Sequence, residues 1–226
     1  MEAKRTISIY LHEKKKMEEN TPFQDGLREA SAEMRMLSRL LLRRSAAAFL
    51  GLPEQDCESW TVREGEHGKP YFPEHPEVCF SISHSGSFWC CAFFDAQVGL
   101  DIQRRILGKT VPAPGKMTVA DGERENRERL RMQRVSDRFF HPSEREYLRR
   151  GGDFFEVWTA KESYVKYTGE GMKRSFESFA VADENGLLPF VKGDGPRAVL
   201  THRQVSPLYS LCLCAGQTGE AEFYHI

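Results

Sequence analysis

Between Val78 and Gln103 the chain passes three times through strand-like sequence, with only turns in between. Val78-Cys79-Phe80-Ser81-Ile82-Ser83 alternates and ends in Ser83-His84-Ser85-Gly86, Phe88 to Asp95 is strongly apolar, and Val98, Leu100 and Ile102 alternate with Gly99, Asp101 and Gln103. Period-two alternation marks strands with two different faces. Parallel neighbours need a crossover of a dozen or more residues, and none is available here, so these strands pair antiparallel. Asp101 and Gln103 then point the same way.

Helices flank this core. Asp25 can cap a helix from about Gly26 to Leu50, with Gly51 and Pro53 marking its end. Ala30, Met34, Leu37, Leu41 and Ala48 supply an apolar face, and Arg35, Arg39, Arg43 and Arg44 decorate the rest. A second helix over Trp158 to Tyr167 places Trp158, Glu162 and Lys166 on one face. Ser143-Glu144-Arg145-Glu146 has capping-box spacing and should start a short helix through Leu148. Ile7, Ile9 and Tyr10 read as a first strand, and further strands are expected near 176–181, 198–201 and 209–214. From 104 to 135 glycines, prolines and charges of both signs predict a flexible inserted arm with at most a short surface helix.

Several functions are excluded at this level. Lysine plus arginine (32) nearly balances aspartate plus glutamate (33), so nothing global favours nucleic acid or an anionic membrane. The opening residues lack a secretory core and no stretch approaches a membrane span, which predicts a cytoplasmic protein. The six cysteines form no Cys-x-x-Cys pair and the histidines no His-x-x-x-His, so zinc is unsupported and reduced, buried thiols are expected. Gly108-Lys109-Thr110 lacks the glycine that a P-loop needs at position 103, which is glutamine, and neither Ser83 nor Ser85 sits in an esterase elbow.

What remains is a site for phosphate and a hard cation. Asp101, Glu162 and the amide oxygen of Gln103, with Lys166 alongside, suit Mg2+ that is also held by substrate phosphates. A solvated Glu162-Lys166 ion pair is the plainer alternative. Ser83, His84 and Ser85 at a strand end, and Lys69 before Pro70, can gather around phosphate or simply form turns.

Taken in order, Gly68-Lys69-Pro70, Phe80-Ser81-Ile82-Ser83-His84-Ser85-Gly86, Val98-Gly99-Leu100-Asp101-Ile102, Arg138-Phe139-Phe140 and Trp158-Thr159-Ala160-Lys161-Glu162-Ser163-Tyr164-Val165-Lys166 resemble the 4'-phosphopantetheinyl transferases of the surfactin-synthetase type. Arg44-Ser45 extends the match, from about residue 30 to about 181. The resemblance implies an α+β fold of two similar subdomains, each an antiparallel sheet packed with helices and related by a pseudo-twofold axis, over residues 1–98 and 99–226. It implies transfer of phosphopantetheine from coenzyme A to a serine of an apo carrier protein by a Mg2+-dependent monomer, leaving adenosine 3',5'-bisphosphate. Arg44, Lys69, Pro70, Ser83, His84 and Ser85 would contact the nucleotide and its phosphates. Asp101, Gln103 and Glu162 would surround Mg2+, Lys166 and Lys161 would neutralise the pyrophosphate, and Glu162 would take the serine proton. The 104–135 arm lies where relatives contact the carrier, and its mixed charge would suit docking onto an acidic carrier helix or an exposed linker equally.

Gln103 departs from the family, where a second acid is common, and the usual basic cluster before the first long helix is not recognisable, leaving Arg35 as its substitute. These departures keep open a homologue that binds coenzyme A or a carrier without chemistry. An unrelated nucleotide-dependent phosphotransferase is the other alternative.

Overall fold

The computed structural model describes residues 5–14, 25–105 and 119–226. Two sheets form the middle of the molecule. The first has the order β11-β1-β5-β4 and the second β6-β10-β9-β8-β7. The strands are β1 (Thr6–Glu13), β2 (Arg63–Glu64), β3 (Pro70–Tyr71), β4 (Cys79–Ser85), β5 (Phe88–Phe94), β6 (Val98–Arg104), β7 (Phe179–Asp183), β8 (Gly186–Gly193), β9 (Val199–Ser206), β10 (Tyr209–Ala215) and β11 (Glu220–His225). The helices are α1 (Asp25–Leu50), α2 (Glu54–Cys57), α3 (Val119–Phe139), α4 (Pro142–Arg149) and α5 (Phe154–Thr168).

The alternating side chains sort into three apolar layers. Ile7, Ile9, Leu11, Cys90, Ala92, Leu100, Ile102, Leu211 and Leu213 fill the space between the two sheets. Tyr10, Phe80, Trp89 and Phe93 turn the other way and meet Leu41, Leu42, Ala46 and Ala47 of α1. Cys212, Cys214, Leu200 and Val181 turn outward from the second sheet onto Val157, Ala160, Tyr164 and Val165 of α5. The result is helix, sheet, sheet, helix, and it explains why β5 reads Phe-Trp-Cys-Cys-Ala-Phe-Phe: both its faces are covered. The expected α+β fold of antiparallel sheets packed with helices is observed, with one parallel pair, β1 beside β11. All six cysteines are free, as expected, and five are buried.

Several local expectations change. The segment read as an arm is, from Val119, a helix of 21 residues, while 106–118 falls outside the described residues. α4 does use a capping box, but His141 is its N-cap: Glu144 accepts from the His141 N–H at 2.9 Å, and the Ser143 N–H donates to His141 Nδ1 at 3.3 Å. α1 ends as predicted at Gly51, with φ +67° and the Leu52 N–H on the Ala47 carbonyl at 2.9 Å. Ala48 is exposed, the burial passing to its neighbours Ala46 and Ala47. The side chains of Asp25 and Ala30 lie outside the described ones. β8 and β11 were not anticipated, and Phe176 precedes β7 in a single 3-10 turn. β11 returns to β1, so the first sheet takes one strand from the end of the chain.

Candidate active site

A glycine sets the geometry. At Gly99 of β6 an added Cβ would lie 1.9 Å from the carbonyl oxygen of Ser163 and 2.5 Å from the amide nitrogen of Tyr167, both backbone atoms of α5. The helix therefore rests on bare strand backbone. α5 is fixed at both ends, by Asp153, whose carboxylate accepts from the Phe155 and Glu156 amides, and by Gly169 at φ 74°. Its Glu162 and Lys166 face are thereby brought to Asp101, two residues beyond Gly99.

Lys166 Nζ donates to Asp101 Oδ1 at 2.7 Å and to the Leu100 carbonyl at 3.1 Å. Ser83 of β4 also donates to Asp101 Oδ1, at 2.7 Å. The second oxygen, Oδ2, is buried and receives no hydrogen bond among the described residues. Burial, and then the Asp101 carboxylate, push the Glu162 carboxyl above its ordinary range, against the pull of Lys166. The Lys166 ammonium is bonded to Asp101, and Glu162 lies close enough to feel both charges in a partly desolvated place, where the orphaned Asp101 oxygen suits a hard cation. Gln103 follows on the same face of β6 and lines a hollow of about 240 Å³ with Trp158, Phe154 and Met132. Among the described residues no three His, Cys, Asp or Glu side chains gather as a metal cluster; the available set is two carboxylates and an amide oxygen.

Further basic groups line hollows beside Lys166 and Pro70. Lys69 donates to the Gln97 side chain at 2.7 Å and the Val98 carbonyl at 3.1 Å, and burial lowers it to about 8. It shares a hollow with Lys166 and Pro70. On the other side of Pro70 a second hollow is lined by His84, Arg35 and Arg39. His84 is held below its ordinary value by burial first and then by Lys14 and Lys166. Lys14, at the end of β1, and Arg39 were missed as site residues. The signal for Arg39 was its position one helical turn beyond Arg35.

Other expected residues are placed elsewhere. Arg44 points to a different face of α1 and pairs with Glu54 at 3.0 Å, so Arg35 and Arg39 take the position facing His84. Lys161 is completely buried, paired with Glu144 at 2.9 Å and donating to the carbonyls of Phe176 and Phe179 at 2.6 and 2.8 Å. It cannot reach a pyrophosphate beside Asp101, because it lies in the core stripe of α5 with Val157 and Val165. Ser85 accepts the Arg104 N–H at 2.9 Å. Trp158 packs among Phe140, Phe154 and Phe176. A cavity of about 870 Å³ between α3, α4 and the start of α5 is lined by neither Asp101 nor Glu162.

Known proteins similar to this chain in sequence are phosphopantetheinyl transferases. The family profile described as the 4'-phosphopantetheinyl transferase superfamily matches residues 120–214. A 4'-phosphopantetheinyl transferase of Bacillus subtilis is 28% identical over 193 residues, covering 81% of this chain and 74% of the relative. The transferase psf-1 of Bacillus pumilus is 26% identical over 231 residues, covering 94% and 88%. The transferase gsp of Aneurinibacillus migulanus is 30% identical over 156 residues, covering 66% and 54%. These relatives are matched along most of the chain and the profile from α3 to β10, so the chain is similar to the 4'-phosphopantetheinyl transferase superfamily across both of its sheets.

Proposed function

We propose that this protein is a 4'-phosphopantetheinyl transferase that moves the phosphopantetheine group of coenzyme A onto a serine of an apo carrier protein and releases adenosine 3',5'-bisphosphate. The observation that carries the reading is the buried Oδ2 of Asp101, left without a hydrogen bond among the described residues while Ser83 and Lys166 fill Oδ1, with the Glu162 carboxyl close enough to be raised by the Asp101 charge. Asp101 and Glu162, with the amide oxygen of Gln103, would hold Mg2+. When bound, the cation would offset charge on the pyrophosphate.

The surrounding residues divide the remaining tasks. Arg35, Arg39 and His84 line the hollow assigned to the nucleotide and its phosphates, and Lys69 with Pro70 lines the neighbouring one. The serine oxygen forms a bond to the phosphorus bearing pantetheine while the bond from that phosphorus to the nucleotide phosphate breaks. Lys166 is assigned to neutralise the charge that builds on the phosphoryl oxygens. Glu162 is also assigned to accept the serine proton, directly or through water. α3 supplies the exposed surface on which an acidic carrier helix would dock. No helix among the described residues is long and apolar enough to cross a membrane, and we place the protein in the cytoplasm as a monomer of two related halves.

The test is intact-mass measurement of an apo carrier protein incubated with the protein, coenzyme A and Mg2+. Addition of one phosphopantetheine group by the native chain and none by Glu162→Ala supports the assignment. No addition to several unrelated carriers, with coenzyme A still bound, overturns it.

A further inference from the structure

β4 and β6 lie side by side where the two sheets meet, yet among the described residues no backbone hydrogen bond joins them. Side chains make the join instead. The N–H groups of Leu100, Ile102 and Arg104 donate to the hydroxyls of Ser81, Ser83 and Ser85 at 2.9, 3.1 and 2.9 Å, and each partner is 19 residues away in sequence. The alternate serines of β4 thus stand in for the carbonyls of a missing ladder and set the register between the sheets.

A hydroxyl differs from a carbonyl in one respect that matters here: it also has a proton to give. In the middle of the row, Ser83 gives it to Asp101 Oδ1 at 2.7 Å while receiving the Ile102 N–H. Ser83 is buried, and its only proton is committed. What remains to it is a lone pair, which repels a phosphate oxygen. Oδ1 of Asp101 is in turn filled by Ser83 and Lys166, so Oδ2 is the oxygen left for a ligand.

We infer that Ser83 is a positioning residue: held by the row of serines, it fixes the Asp101 carboxylate so that Oδ2 presents to a divalent cation, rather than contacting the nucleotide phosphates itself. This rests on the cation site proposed above. It replaces the role that resemblance implied for Ser83, and it ties the register between the two sheets to the orientation of a metal ligand.

Three variants test it: Ser83→Ala removes both bonds, Ser81→Ala removes a bond of the row that touches no carboxylate, and Ser83→Thr restores the hydroxyl. Mn2+ binding in the presence of coenzyme A is followed by electron paramagnetic resonance, alongside the Mg2+ and coenzyme A dependence of carrier loading and the thermal midpoint. Loss of a group that orients a metal ligand weakens affinity by about 10–100-fold. Ser83→Ala should therefore raise the Mn2+ and Mg2+ half-saturation by that factor with the coenzyme A KM within about twofold, and Ser83→Thr should recover most of it. Ser81→Ala should lower the midpoint comparably without the metal shift. A raised coenzyme A KM with unchanged metal dependence in Ser83→Ala, equal metal shifts in Ser81→Ala and Ser83→Ala, or no Mn2+ bound by the native protein with coenzyme A would each overturn the inference. The predicted Mn2+ shifts in a protein that loads no carrier would uphold the inference and refute the transfer reaction.

Discussion

Gly99→Ala is the substitution whose effect can be worked most directly from the structure. The added methyl would sit 1.9 Å from the Ser163 carbonyl oxygen and 2.5 Å from the Tyr167 nitrogen, so α5 must retreat by about 1 Å to reach even the 3.0 Å that real contacts respect. Neither obstacle is a side chain that can rotate away. Overpacking of this kind costs about 1–3 kcal/mol, and for a chain of this size each kcal/mol lowers the thermal midpoint by about 2–4 °C. The helix that retreats carries Glu162 and Lys166, each next to a clashing residue, so both move relative to Asp101 by a similar distance. A misplacement of about 1 Å can reduce a rate by about a hundredfold. The variant should therefore remain folded, melt several degrees lower by circular dichroism, and load an apo carrier about a hundredfold more slowly by intact mass. A midpoint and a loading rate equal to those of the native protein would refute the claim that α5 rests on Gly99 and that this contact spaces the two carboxylates.

Other outcomes follow from the same structure. Lys161→Met leaves Glu144 charged in the core and should cost about 3–5 kcal/mol in urea denaturation, with Lys161→Met/Glu144→Gln more stable than the single variant; native stability in Lys161→Met would contradict the buried pair. Burial holds His202 at about 4, below the ordinary 6.5, with both ring nitrogens unpartnered among the described residues. Between those values the unfolded chain takes up a proton that the folded chain refuses, so this group lowers stability as pH falls, by about 2 kcal/mol at pH 5. His202→Leu should flatten that acid limb, and identical pH profiles would dismiss it. Lys69, lowered to about 8 by burial, loses its charge as pH rises through that value, so coenzyme A should bind about tenfold more weakly at pH 9 than at pH 7 if its charge holds a phosphate. Lys69→Arg should remove the dependence in calorimetric titrations, and an unchanged slope would release Lys69 from that role.

The parts of the fold that were legible in the sequence are those whose side chains alternate between two unlike environments. β4 and β6 announce themselves because one face of each is apolar and the other carries serines or Gly99, Asp101 and Gln103. β11, Glu-Ala-Glu-Phe-Tyr-His, is an exposed edge strand with no such contrast, and its parallel place beside β1 is a long-range choice that no local pattern encodes. β8 carries Pro189, which reads as an interruption. α3 hides for the opposite reason: Asp121 to Arg134 is so charged that its helical period has little apolar contrast to show.

The two lysines of Trp158-Thr159-Ala160-Lys161-Glu162-Ser163-Tyr164-Val165-Lys166 make the corresponding point about the site. Helical spacing already separates them, since Lys166 follows Trp158 and Glu162 while Lys161 falls in the stripe of Val157, Tyr164 and Val165. Yet a lysine in an apolar stripe has two readings, a side chain that reaches out to solvent or one that meets a buried acid, and the sequence does not reveal the acid, because Glu144 lies on another helix. The structure resolves both pairs by how completely their polar atoms are satisfied. Lys161 and Glu144 are wholly enclosed, and Glu144 also accepts amide protons from Val181 and His141, so the pair ties α4 and β7 to α5 and leaves nothing over. Lys166 and Asp101 are 29% and 8% exposed, and one carboxylate oxygen is left unfilled beside a second carboxyl. A chain that could have closed that oxygen with the kind of amide contacts it gives Glu144 instead keeps it open at the junction of its two sheets, and an open, buried acceptor costs stability unless a ligand supplies the missing charge.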